Sequence, residues 1–407
     1  MFFTKEVKLD LLFWCIFLGS TIFPWSASTF DTSFAYLLIG VSLIYWSLLV
    51  FRSKLYLGRL FQFIVIPVAA SIFFHCLANL QLPNPQQYVG IYIVISSICF
   101  GSVCADKLFL VIQKKSTRSS RSLLSLLVIL FVLGILSFSL NLPLALTSKS
   151  KAFLFFGEIS HFFLALIPYI SFVIRRTSFG ISISVFASCI LLAILSQSII
   201  GVVLSFLAFL PRAILMSNRR LLVLSSCLLA MIILPAFSLI ASSFPFFNKL
   251  ATVNITVSSY YYGWDSIIAS LIRFGGLGSG FMLMGSSQES LFSQTESFNN
   301  LILLNSLDGI EDGTFSFSRL VVELGVFSMP IIYLVTRDIF LSIQSLKLNP
   351  ISSDLYPNLF DTLFFTTSVS LTILVYLFVR CPGGLISPLT FYISLNHLLL
   401  RRLSSRR

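Results

Sequence analysis

Runs of about 20 apolar residues, each closed by a short turn rich in lysine or arginine, recur along this chain and set its class before any motif is considered. A helix of that length crosses a ~30 Å hydrocarbon core, where every backbone hydrogen bond must be met internally. The runs fall at about 9–25, 33–51, 60–79, 88–111, 122–141, 153–174, 179–195, 199–216, 221–242, 317–337, 361–379 and 384–400. The chain is 57% hydrophobic and only 10% charged, whereas soluble domains average ~25% charged. The expected fold is therefore all-α and integral to a membrane, with about 12 transmembrane helices. The range is roughly 11–13, because only Ser196-Gln197-Ser198 separates the seventh run from the eighth. Lys5 and Lys8 ahead of Leu11–Phe23 imitate a signal peptide, but that run is read as the first span.

The net charge of +12 would suit a nucleic-acid binder, and its distribution excludes one. With the N-terminus inside, 21 of the 27 basic residues fall in inner segments, from Lys5 and Lys8 through Arg175 and Arg176 to Arg401, Arg402, Arg406 and Arg407. Lys149, Lys151, Lys249, Arg273, Arg319 and Arg380 remain outside. This is the positive-inside pattern, with both termini cytoplasmic. Fusing the seventh and eighth runs would carry Arg212, Arg219 and Arg220 outside and break it. The seven cysteines form no CxxC pair and have no histidine at metal-ligand spacing, so they read as small apolar side chains. Neither a metal site nor a cofactor is expected.

On this topology residues 1–242 form a bundle of nine helices, 243–316 an external loop, and 317–407 the last three helices. The loop is the one long polar interruption. Within it Tyr260-Tyr261-Tyr262-Gly263-Trp264 suits a membrane interface. Trp264, Ile267, Ile268, Leu271 and Ile272 then recur at amphipathic-helix spacing, which predicts a short helix lying on the outer leaflet surface among membrane lipids.

Four groups of residues carry possible chemistry. Arg273-Phe274-Gly275-Gly276-Leu277-Gly278-Ser279-Gly280 combines a guanidinium fork with a backbone that can turn tightly around phosphate oxygens, with Gly276 and Gly278 at its centre. It lacks the Lys-Ser/Thr ending of a nucleotide loop, and a flexible hinge fits it as well. Arg319 and Glu323, four residues apart at the start of the tenth helix, form either a local ion pair or part of a site at membrane depth. Glu158 and His161 share a face of the sixth helix, as a general base or as a polar pair between helices. Arg380, in the turn Arg380-Cys381-Pro382-Gly383-Gly384, places a third arginine on the outer side or simply closes a turn.

Many short-looped helices, one large external loop late in the chain and an arginine before a Gly-rich turn resemble the bacterial O-antigen polymerase (Wzy) family and its O-antigen ligase relatives. So does the passage 313–326, Gly-Thr-Phe-Ser-Phe-Ser-Arg-Leu-Val-Val-Glu-Leu-Gly-Val. The likeness in architecture covers the whole chain, and the likeness in residues covers Arg273–Gly325. Ligase relatives carry a His-Asn pair shortly upstream of the Glu-x-Gly that is Glu323-Leu324-Gly325 here. This chain has Thr314-Phe315 in that place, which favours the polymerase.

The resemblance implies a glycosyltransferase at the periplasmic face of the bacterial inner membrane, joining oligosaccharide repeat units carried on undecaprenyl diphosphate. It implies Arg273, Arg319 and Arg380 on the diphosphate, Glu158 with His161, or else Glu323, as the base, and a polysaccharide chain-length regulator as a further partner. A lipid-linked oligosaccharide flippase or other transporter, and an O-antigen ligase, are the competing expectations. No internal repeat of the kind transporters show is visible in the sequence.

Overall fold

The computed structural model describes residues 58–80, 82–139, 159–196, 198–215, 255–281, 315–348, 357–378 and 388–404, with single residues at 299 and 385. The described elements are all helical: α1 (Gly58–Asn79), α2 (Pro85–Ser139), α3 (Ile159–Arg176), α4 (Phe179–Leu195), α5 (Ile199–Leu215), α6 (Ile255–Arg273), α7 (Ser316–Leu324), α8 (Met329–Leu348), α9 (Pro357–Phe378) and α10 (Pro388–Ser404). Four runs, Gly58–Asn79, Pro85–Gln113, Ser316–Leu346 and Asn358–Phe378, are long and apolar enough to cross a membrane. Ser120–Leu136, Phe179–Leu195 and Gly201–Arg212 are shorter apolar helices. The expected spans at 9–25, 33–51 and 221–242 lie outside the described residues.

Contacts fix two joints of the chain, the first of them the one left open in the sequence. The seventh and eighth runs are separate helices. Phe186 on α4 meets Phe206 and Phe209 on α5, while a methyl group at Gly201 would sit 3.0 Å from the Ala193 Cβ, so the pair is an antiparallel hairpin. The second joint lies within α2, which is helical over 55 residues. Phe100 lies 5.1 Å from Phe391, and the Tyr392 hydroxyl reaches the Ala165 carbonyl at 3.5 Å. Phe162, one turn from Ala165, lies 6.4 Å from Phe131. A straight helix would hold Phe100 and Phe131 about 46 Å apart, at ~1.5 Å per residue. The arms Pro85–Gln113 and Ser120–Leu136 therefore run in opposite directions, with the reversal across 114–119, at the expected basic turn.

The core gathers on α9, which is buried along most of its length despite Thr362, Thr366, Thr367, Ser368 and Thr372. Each of these hydroxyls donates to the carbonyl four residues earlier, for example Thr366 to Thr362 at 2.7 Å. Small polar residues thereby satisfy themselves within the helix and let neighbours approach closely, which is how helices associate in lipid. On α2, a Cβ at Gly101 would lie 2.6 Å from the Phe391 carbonyl oxygen, so α10 rests directly on that backbone.

One end of the bundle is basic. Arg176 at the end of α3 pairs with Asp361 and, at 3.2 Å, with Asn358 at the start of α9. The Asn358 amide in turn donates to the Gln113 carbonyl at 2.7 Å. Arg402 holds Asp106 at 2.7 Å, tying α10 to α2. Asp338 on α8 takes Arg337 and the His397 Nδ1, each at 2.7 Å. All these arginines are among those expected on the inner side.

Two expectations need correction. The tenth run is not a single helix over 317–337: α7 ends at Leu324, Gly325–Ser328 forms a tight turn, and α8 continues to Leu348. Gly325, with φ of 54°, interrupts the helix there. The predicted stripe on α6 is also not one exposed face, because Ile267 turns inward with Tyr262, Ser266 and Ser270.

Candidate functional site

Helix α7 is nine residues long and ends inside the protein, which leaves its last carbonyls without partners in their own helix. The Gly-rich turn supplies those partners. The Val322 carbonyl accepts from the Ser279 N–H at 2.7 Å, the Ser270 hydroxyl at 3.1 Å and the Ser279 hydroxyl at 3.2 Å. The Glu323 carbonyl accepts from the Gly280 N–H at 3.1 Å. In the other direction the Val326 N–H donates to the Gly276 carbonyl at 2.8 Å. Residues 276–280 thus cap a helix from outside it, so the Ser279 and Gly280 N–H donors are engaged within the protein rather than turned toward a phosphate.

Such close backbone contact admits no side chain. A Cβ at Gly278 would lie 2.6 Å from both the Glu323 oxygen and the Gly325 nitrogen. A Cβ at Gly325 would fall onto the Gly276 carbonyl oxygen and 2.5 Å from the Gly278 nitrogen. Higher up, Gly263 on α6 accommodates the Phe315 ring, which also lies 5.3 Å from Trp264.

Arg319 and Glu323 sit one turn apart on α7, with Nε to Oε1 at 2.8 Å. Both are buried, at 7% and 3% exposure, so the ion pair is desolvated. Arg273, the last residue of α6, leads into the turn and is exposed. The structure therefore brings Gly276 and Gly278 against the backbone of Glu323 and Gly325, with the Arg319–Glu323 pair on the same short helix. His161 is buried at the start of α3, whose main neighbours are α2, α4, α5 and α9. Among the described elements around His161, α9 also packs on α7. Glu158 and Arg380 lie outside the described residues.

Sequence reasoning treated the Gly-rich turn and the Glu323-Leu324-Gly325 passage as separate motifs and missed that they interlock. It also missed the buried Asp338–His397 pair and the Asp361 and Asp106 clamps. Their signal was present: Asp106 lies within an apolar run, and Asp338 and Asp361 stand at the ends of two others. No protein-family model matches this chain, and no curated protein matches it either.

Proposed function

We propose that this chain is an O-antigen polymerase, a membrane glycosyltransferase that joins oligosaccharide repeat units carried on undecaprenyl diphosphate at the periplasmic face of the inner membrane. The observation that carries the reading is the interlock itself. The two segments bearing the resemblance, Arg273–Gly280 and Arg319–Gly325, are far apart in sequence and form one unit in space. Arg273 emerges from that unit with its side chain exposed.

In the proposed reaction the bond between the donor sugar's anomeric carbon and the diphosphate oxygen breaks, and its electron pair leaves with the diphosphate. A hydroxyl of the incoming unit's non-reducing sugar attacks that carbon and gives its proton to a base, Glu158 or His161. Charge develops on the leaving phosphate, where a guanidinium fork makes paired charge-assisted hydrogen bonds. Arg273 and Arg380 are assigned to that contact. Arg319, already held by Glu323, fixes the platform from which Arg273 projects. General-base assistance contributes ~10²–10⁴-fold. No cofactor and no nucleotide sugar enters, because the donor is activated on lipid.

Deleting the gene in its own host and resolving the surface lipopolysaccharide on a gel tests the reading. Core carrying a single repeat unit is the expected result. An unchanged ladder removes the reading altogether. Bare core turns it toward the second reading, a lipid-linked oligosaccharide flippase, which the buried ionisable side chains Asp338, His397 and Asp361 favour. At the site, Arg273→Ala is expected to abolish chain growth at unchanged protein level, and Arg273→Lys to restore little of it, since a point charge does not replace the fork. A full-length ladder from Arg273→Ala would take that residue out of the mechanism.

A further inference from the structure

Helix α6 wears its faces the wrong way round for a helix bathed in water. Against α7 it presents Tyr262, Gly263, Ser266, Ile267 and Ser270, all buried, with Ile267 packed on Val321 and Val322, and three of the five carry little or no apolar side chain. Outward it presents Tyr261, Trp264, Ile268, Leu271 and Ile272, with Ile268 at 59% and Ile272 at 79% exposure. An inner face of mostly small and mixed side chains beneath a largely apolar outer one is stable where the surroundings are themselves apolar.

The direction of α6 adds a second argument. Gly263 lies against Phe315 and Ser318, the Ser270 hydroxyl bonds the Val322 carbonyl, and Gly276 bonds Val326, so α6 runs alongside α7 in the same sense. Helix α7 opens the run Ser316–Leu346, whose 31 residues are apolar enough to cross a membrane. Its first turn is level with the end of another such run, since Phe317 lies 5.1 Å from Phe378. Phe327, just beyond the interlock, stacks on Phe74 at 5.5 Å, more than a turn before α1 ends at Asn79. The Gly-rich turn therefore lies about a turn below the end of α1, and its far end meets the first turn of α2, where the Gln87 amide donates to the Phe281 carbonyl at 3.0 Å.

Exposed apolar side chains also follow the outer stripe of α6 beyond Arg273. Past Ile272 come Leu277, and then Val326 and Met329 of the crossing run, all exposed. We infer that α6 is a re-entrant helix: it enters the bilayer beside α7 with its apolar face on the acyl chains and turns back at Arg273–Gly280. The sequence pattern alone suggested a helix lying flat on the surface. The inserted end carries Arg273, whose charge at that depth must be met by an anion or water. The inference does not depend on the proposed reaction.

Tryptophan quenching by brominated phospholipids tests it, with the full chain in vesicles. Trp14→Phe, Trp25→Phe and Trp46→Phe leave Trp264 as the sole tryptophan without touching α6. Its emission is expected to fall in vesicles brominated along the acyl chain and to resist aqueous acrylamide. Moving the tryptophan, with Trp264→Phe and either Tyr261→Trp or Ile272→Trp, then measures depth. Bromines near the bilayer centre are expected to quench Ile272→Trp roughly twofold or more, and Tyr261→Trp to answer mainly to bromines near the headgroup. Equal responses at both positions would mean a helix lying flat and would overturn the inference. No bromine response from Trp264 would overturn it too, with acrylamide quenching indicating water at that face and its absence indicating a covering protein.

Discussion

Gly325→Ala is expected to destabilise the protein by on the order of 3–6 kcal/mol, far more than the same change at Gly275, whose φ is also positive. Two costs add at this position. Alanine at φ of 54° is strained by ~1–3 kcal/mol. Its methyl would also fall on the Gly276 carbonyl, against backbone that no rotamer change can move, and separating the two strands breaks the hydrogen bonds to Val322, Glu323 and Val326. Gly275 isolates the first cost: its φ is 56°, but nothing lies within 4 Å of an added methyl. Gly180 isolates neither, being in open space within α4, and its alanine variant should be neutral or slightly stabilising. Thermal unfolding of the three purified variants in one detergent is the measurement. If Gly325→Ala loses no more than Gly275→Ala, the close approach of the two backbones is wrong.

The bundle was readable from sequence because membrane spans are written in composition. A run of apolar residues must be helical in lipid and must end near charge, and the antiparallel arms of α2 and the hairpin of α4 and α5 follow from that rule. Pairings across the bundle were not readable. Asp106 with Arg402, Asp361 with Arg176 and Asp338 with His397 join residues between 59 and 296 positions apart, and nothing in one chain states which partner each acid meets. The interlock of the Gly-rich turn with α7 was hidden for a different reason. Its acceptors are backbone carbonyls, which every residue has, so only the glycines show, and they fit a phosphate loop equally well. The stripe on α6 taught a narrower lesson. Periodicity says that two faces differ, and cannot say which of them the protein keeps for itself.

The Arg319–Glu323 pair separates architecture from chemistry in a way a single substitution cannot. Glu323→Ala is expected to cost ~3–5 kcal/mol, because it removes the carboxylate paired with a guanidinium that is only 7% exposed. Arg319→Met should cost a similar amount by stranding the carboxylate. The double variant, Arg319→Met with Glu323→Leu, replaces two charges by apolar side chains of similar volume and should recover most of that loss. Chain growth tells the rest. If the pair only braces α7 beneath the Gly-rich turn, the double variant should regain activity along with stability. If Arg319 itself meets the diphosphate, or Glu323 the attacking hydroxyl, activity stays lost in a protein that folds and inserts normally. The expected outcome is recovery of stability with a partial return of chain growth, because Arg273 keeps its place at the end of α6 while the platform loses the charge that orients it. A double variant no more stable than Glu323→Ala would show that the two side chains are not each other's partners.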